Sequence, residues 1–148
     1  MDAKFWLIAK DRMALLTAML HELCGNAHVS FEGDLSKLDF SVIPGSTTEE
    51  NETLKRATLL PELNFMIVPL EINTIPLILD QLVLSKSTDL WIDLIHIQME
   101  KNGIIEFAAY DNFHPDCVVS GSRISEALLE RLVSEGTIQS FIPANVNR

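Results

Sequence analysis

An α+β fold is what this sequence predicts: a single mixed, mostly antiparallel sheet with three main helices packed on it. Three observations lead there. Short segments alternate apolar and polar residues at the period of a strand, separate segments repeat apolar residues at the period of a helix, and one pair of strands closes around Lys101-Asn102-Gly103. Hairpins interleaved with helical crossovers make a sheet carrying helices. At 148 residues the chain fits one domain, 1–148. A chain of this size buries roughly 68–70% of its unfolded surface and needs no disulfide or metal to fold.

In chain order, Lys4 to Ala9 reads as the first strand. Asp11 is a good N-cap for a helix in which Met13, Leu16, Leu20 and Leu23 share a face, and Gly25 follows where a left-handed C-cap belongs. His28 to Glu32 alternates, with Val29 and Phe31 on one face and His28, Ser30 and Glu32 on the other. Leu38 to Ile43 is a further strand candidate, stopped by Pro44-Gly45.

The stretch 46–62 is the most polar in the chain and reads as a surface excursion. Thr47 and Glu50 are spaced as a capping box, so the excursion is expected to hold one short helix. Asn64 to Leu70 is apolar on both faces, as a central strand would be. Pro69 cannot donate to a neighbour, so the strand ends near Val68 or lies at an edge. Thr74 caps a helix with Pro76 in its first turn. Ile75, Leu77, Ile78, Leu79, Leu82 and Val83 make that helix apolar nearly all round and predict burial on most sides.

Trp91 to Met99 and Ile104 to Tyr110 form the hairpin. A three-residue loop would set Met99 opposite Ile105, Ile97 opposite Phe107 and Gln98 opposite Glu106, giving one dry and one wet face. Asp93 then falls before a dry face that begins at Ile95. Ser122 is expected to cap a last helix with Ile124, Leu128 and Leu132 inward, ended by Gly136. Thr137 to Ile142 adds a strand, and 143–148 is a loose tail.

Charge narrows the function classes. Asp and Glu number 21 against 11 Lys and Arg, for a net charge of −10. Binding to nucleic acid or to an anionic membrane needs basic surface, and there is no run of Lys or Arg. An acidic surface favours a basic protein partner through steering and like-charge rejection. The N-terminus carries no recognisable signal peptide, and no stretch reaches the ~18 apolar residues of a span. Cys24 and Cys117 lie in dissimilar surroundings without a CxxC, so a reduced, cytoplasmic setting is expected. Self-association, through a sheet edge or the Ile75–Val83 helix, stays open.

Catalytic signatures are absent: no glycine-rich phosphate loop, no GxSxG elbow, and His21-Glu22 lacks the second histidine of a zinc-protease helix. No cofactor is expected. The densest polar segment is Tyr110 to Cys117, where Asp111, Asn112 and Asp116 are acceptors, His114 is a base or ligand and Cys117 a thiol. It reads as a turn, as a recognition loop, or as the site of a small enzyme or metal-binding protein using His114, Asp116 and Cys117. The row His28, Ser30, Glu32 is spaced at roughly 6.5–7 Å, too far for a triad along one strand, and reads as a solvated strand face.

Three stretches, Ile8 to Met13, Ser30 to Ser36 and Tyr110 to Cys117, together resemble small bacterial proteins found beside polymorphic or contact-dependent toxins. The resemblance implies an acidic, single-domain, non-catalytic immunity-type inhibitor that binds a basic toxin domain. The residues expected to meet partner Lys or Arg are Glu32, Asp34, Asp111, Asn112, His114 and Asp116. A second acidic surface is Glu49, Glu50 and Glu52.

Overall fold

The computed structural model of the chain describes residues 1–85 and 87–145. Seven strands form one sheet: β1 (Phe5–Ala9), β2 (Ala27–Gly33), β3 (Asn64–Leu70), β4 (Leu94–Lys101), β5 (Ile104–Ala109), β6 (Val118–Ser120) and β7 (Ile138–Pro143). The helices are α1 (Arg12–Leu23), α2 (Ile75–Val83), α3 (Leu90–Asp93) and α4 (Glu126–Ser134). The sheet order is β3-β2-β4-β5-β6-β1-β7, and every pairing is antiparallel. The α+β class is as predicted.

One face of the sheet is dry. Ala27, Val29 and Phe31 of β2, Val68 and Leu70 of β3, Ile97 and Met99 of β4, Phe107 and Ala109 of β5, and Leu7 of β1 join α1, α2 and α4 in a single apolar cluster. Helix α1 is set as its sequence requires. Asp11 accepts the Ala14 amide at 3.0 Å, Leu16, Leu20 and Leu23 are buried, and Gly25 follows the end with a positive φ of 98°.

Several expectations are corrected. The hairpin turn is two residues, not three: Asn102 and Gly103 have φ of 54° and 82°, the mirror-image turn that Asn-Gly favours. The same-face apolar pairing survives because the register steps by one between Met99 and Glu100. Met99 therefore faces Phe107, Ile97 faces Ala109 and Gln98 faces Ala108, and Glu106 is the extra residue of the bulge. Residues 38–43 hold a short 3-10 helix at Phe40–Val42 rather than a strand. Trp91 to Asp93 belong to α3, with Asp89 as its cap, so β4 begins at Leu94.

Strand β6 escapes sequence reading because three residues are too few for a period to show. The cap of α4 is Ser125, whose Oγ accepts the Leu128 amide at 3.1 Å, instead of Ser122. Helix α2 buries only Ile75, Ile78 and Leu82 and leaves Leu77 and Val83 exposed, because contact on one side uses a single stripe. Pro69 lies in the edge strand β3, where a missing donor is tolerated. Of the tail expected to be loose, Pro143 ends β7 and the Ala144 amide donates to Lys4 O; residues 146–148 lie outside the described residues.

Candidate functional site

Along β2 and β4 the opposite face of the sheet is polar, and it is covered. The β2 row His28, Ser30, Glu32 meets Glu100, Gln98 and His96 of β4 directly across the ladder. A solvated face was expected, yet Ser30 and Glu32 are each only 1% exposed. The cover is the stretch 46–62. It contains no helix: Thr47 and Glu50 form no capping box. Thr47 instead exchanges two backbone hydrogen bonds with Ile67, and Leu54 is fully buried against Phe65 and Ile67. Glu50 turns back to accept from the Arg56 amide and guanidinium at 3.0 and 3.1 Å.

Beneath this cover Ser30, Glu32, His96 and Gln98 all find partners, as burial demands, although Ser46 Oγ and Arg56 Nε of the cover itself find none among the described residues. Glu32 accepts the Ala57 and Thr58 amides at 2.7 and 3.1 Å, one on each carboxylate oxygen. Gln98 Nε2 donates to Ser30 Oγ at 3.2 Å and to Lys55 O at 2.9 Å, while its Oε1 accepts from the Tyr110 hydroxyl at 3.1 Å. The Asp111 amide donates to His96 Nδ1 at 3.2 Å. That bond makes Nδ1 an acceptor, so the ring hydrogen is on Nε2, which donates to Thr58 Oγ1 at 2.7 Å. His96 is thus not arranged to take a proton from Thr58, and the pair does not form a nucleophile with its base. Burial first, and then the charge of Glu32, push the Tyr110 phenol above its ordinary value.

The loop after β5 is held in an unusual shape. Asp111, Asn112 and Phe113 have φ of 54°, 58° and 60°, three consecutive residues in the left-handed region that side chains resist. Asn112 stabilises the shape: its Nδ2 donates to the Trp91, Ile92 and Leu94 carbonyls at 2.7, 3.0 and 3.3 Å. Phe113 is buried edge-on to Trp91. Asn112 therefore clamps the fold rather than offering its amide outward. His114 and Asp116 are exposed, and His114 Nδ1 accepts the Asp116 amide at 3.1 Å. Cys117 is half-buried. Among the described residues, no group of three or more His, Cys, Asp or Glu side chains is placed to hold a metal ion.

The two polar clusters do meet, through the Asp111 amide and not through its carboxylate. His96 stands between Glu32 of β2 and the Asp111 amide, by way of Thr58. The register also brings the end of β2, the starts of β3 and β4 and the end of β5 to one edge of the sheet. Asp34, Glu62, Asp111 and Asp116 sit in the loops at that end, and Asp93 ends α3 just before β4. Asp34, Glu62 and Asp93 line a shallow recess of about 250 Å³ together with Ile92, which is 66% exposed. Gly33 lets the chain pass here, since a Cβ on it would fall 1.9 Å from Asp93 O. The Ser36 hydroxyl, then its amide, donate to Asp34 and hold its carboxyl below the usual range.

Of the residues predicted to meet a partner, Asp34, Asp111, His114 and Asp116 are exposed. Glu32 is not available to one, being buried with both oxygens occupied. Glu49, Glu50 and Glu52 are exposed; Glu50 shares the Arg56 guanidinium with Glu62, whereas Glu52 and Thr53 border a hollow with Asp2 and Gly103, at the opposite end of the strands. Sequence reasoning missed His96, Gln98 and Thr58. A signal for two of them was present, since His96, Gln98 and Glu100 repeat the alternation of His28, Ser30 and Glu32. Two such rows on neighbouring strands make a polar layer. No protein-family model, curated protein or solved structure matches the chain. No helix among the described residues is long and apolar enough to cross a membrane.

Proposed function

We propose that this is a non-catalytic interaction protein whose acidic end binds a basic protein partner, in the manner of an immunity-type inhibitor covering a toxin domain. The observation that carries the reading is the placement of Asp34, Glu62, Asp93, Asp111 and Asp116 at one end of the sheet, the first three lining a recess with exposed Ile92. Leu59 and Leu60, 82% and 90% exposed, add apolar surface on the segment that leads into Glu62. Aliphatic contact ringed by charge is how specific interfaces combine burial with selectivity. The net charge of −10 adds long-range attraction for a cationic surface. The alternative, chemistry at His114, Asp116 and Cys117, has no comparable support: His114 Nδ1 is engaged by the Asp116 amide, and no metal-binding cluster surrounds it among the described residues.

The test is capture of partners from the native host lysate by the tagged chain at low and high salt. A parallel variant carries Asp34→Asn, Asp111→Asn and Asp116→Asn. The reading expects a stoichiometric basic protein that salt releases progressively and that the variant retains poorly. A chain that captures no basic protein at either salt sinks the proposal, and so does capture indifferent to both salt and the three substitutions.

A further inference from the structure

Residues 55–63 cross the polar face without joining it. Among the described residues, no backbone–backbone hydrogen bond ties this stretch to a strand. Before it, the Thr47–Ile67 bridge and buried Leu54 are firm anchors. After it, β3 begins at Asn64. Between those anchors the sheet holds the stretch through side chains of the floor: Gln98 on Lys55 O, Glu32 on the Ala57 and Thr58 amides, and His96 on Thr58 Oγ1. Arg56 pairs with Glu50 before the stretch and Glu62 near its end and lies over the Phe65 ring of β3, so its charge ties the stretch to its two ends and not to the polar floor. Leu59 and Leu60 bury almost nothing.

We infer that residues 55–63 are a strap that opens off the sheet as a unit, short of unfolding, with Glu32 as its latch and Leu54 and the start of β3 as its hinges. An apolar cover could not open this way without wetting hydrocarbon. Here opening mostly exchanges hydrogen bonds with side chains for hydrogen bonds with water, a trade whose net cost per bond is small. The charged acceptor is the exception, because hydrogen bonds to an ionised carboxylate are roughly twice as strong as neutral ones, which makes Glu32 the controlling contact. Opening uncovers Ser30, Glu32, His96 and Gln98 together, and it carries Leu59, Leu60 and Glu62 with it. The inference stands apart from the functional reading above.

Amide hydrogen exchange on the full chain, resolved by residue with NMR, tests it. Ala57 and Thr58 are expected to exchange through an opening that low denaturant hardly changes. Val29 and Phe31 of β2 should exchange only through unfolding that denaturant promotes steeply. Glu32→Gln should speed Ala57 and Thr58 by about tenfold, the weight of the lost charge, with a smaller change at Val29 and Phe31. The inference is overturned if all four amides share one protection level and one denaturant dependence. The wild-type comparison decides this even if the Glu32→Gln chain does not fold.

Discussion

The two faces of this sheet are both buried, and they are buried by different forces. On one, Val29, Phe31, Ile97, Met99 and Phe107 lie under three helices in a continuous apolar cluster. On the other, Ser30, Glu32, His96 and Gln98 lie under an irregular cover whose own apolar contribution is centred on Leu54. Burial fraction does not distinguish them: Phe31 is 0% exposed and its neighbour Glu32 is 1% exposed. What differs is the return for excluding water. Apolar burial gains about 25 cal/mol per Å², whereas a buried polar group must be repaid bond by bond. The dry face is therefore stable wherever its shape is kept. The polar face is stable only while each partner stays in place, which makes it specific and local.

The comparison is broken most sharply by substitution on the dry face. Phe31→Ala removes a ring stacked 4.4 Å from Phe40 and should cost about 3–5 kcal/mol in denaturant unfolding. Its neighbour gives the contrasting value. Glu32→Ala leaves the Ala57 and Thr58 amides without their acceptor and should cost about 1–3 kcal/mol, less if the strap simply opens to water. Equal losses for the two variants would mean that the cover is as integral to the fold as the helices are. Gly121→Ala sharpens the polar side, where Glu106 is buried and paired to Arg123 at 3.2 Å. A Cβ at Gly121 would fall 2.4 Å from Glu106 Oε1, so about 1–3 kcal/mol should be lost by the same measurement.

The smallest expected effect is on pH dependence. Tyr110 is the only tyrosine, so ultraviolet titration reads it alone. Its phenol is raised by burial and by Glu32, so the unfolded chain ionises it first. Its contribution to stability is therefore complete below the ordinary phenol value of about 10 and is lost as pH climbs through the folded value. Glu32→Gln should move the midpoint down by removing the charge, leaving the part due to burial. An unchanged midpoint would mean that Glu32 does not act on Tyr110.

How much of this was legible follows from the range of each signal. The cap Asp11, the stripe Leu16-Leu20-Leu23 and the terminating Gly25 are all within one helix, so α1 could be read whole. Alternation alone placed Val29 and Phe31 opposite Ser30 and Glu32. The hairpin was legible too, but its register was not. The pairing of faces can be satisfied by a longer loop or by a short turn with a bulge, and Asn102-Gly103 takes the second. Among the candidate residues, Asp34, Asp111, His114 and Asp116 are exposed as expected, whereas Asn112 clamps three carbonyls and Glu32 is enclosed.

By itself, then, the sequence determined the α+β class, the first helix, the side of each strand that is apolar, and the acidic balance of the whole chain. Each of these is set by neighbours within a turn or two, or by composition. Only the tertiary structure decided that the polar rows of β2 and β4 face each other under a cover, that acids from three separate connections share one end of the sheet, and that Glu32 holds backbone far away in the chain. Those outcomes depend on pairings between residues 25 to 72 positions apart, such as Glu32 with Ala57 and His28 with Glu100. A polar side chain looks the same in sequence whether water or a distant amide satisfies it.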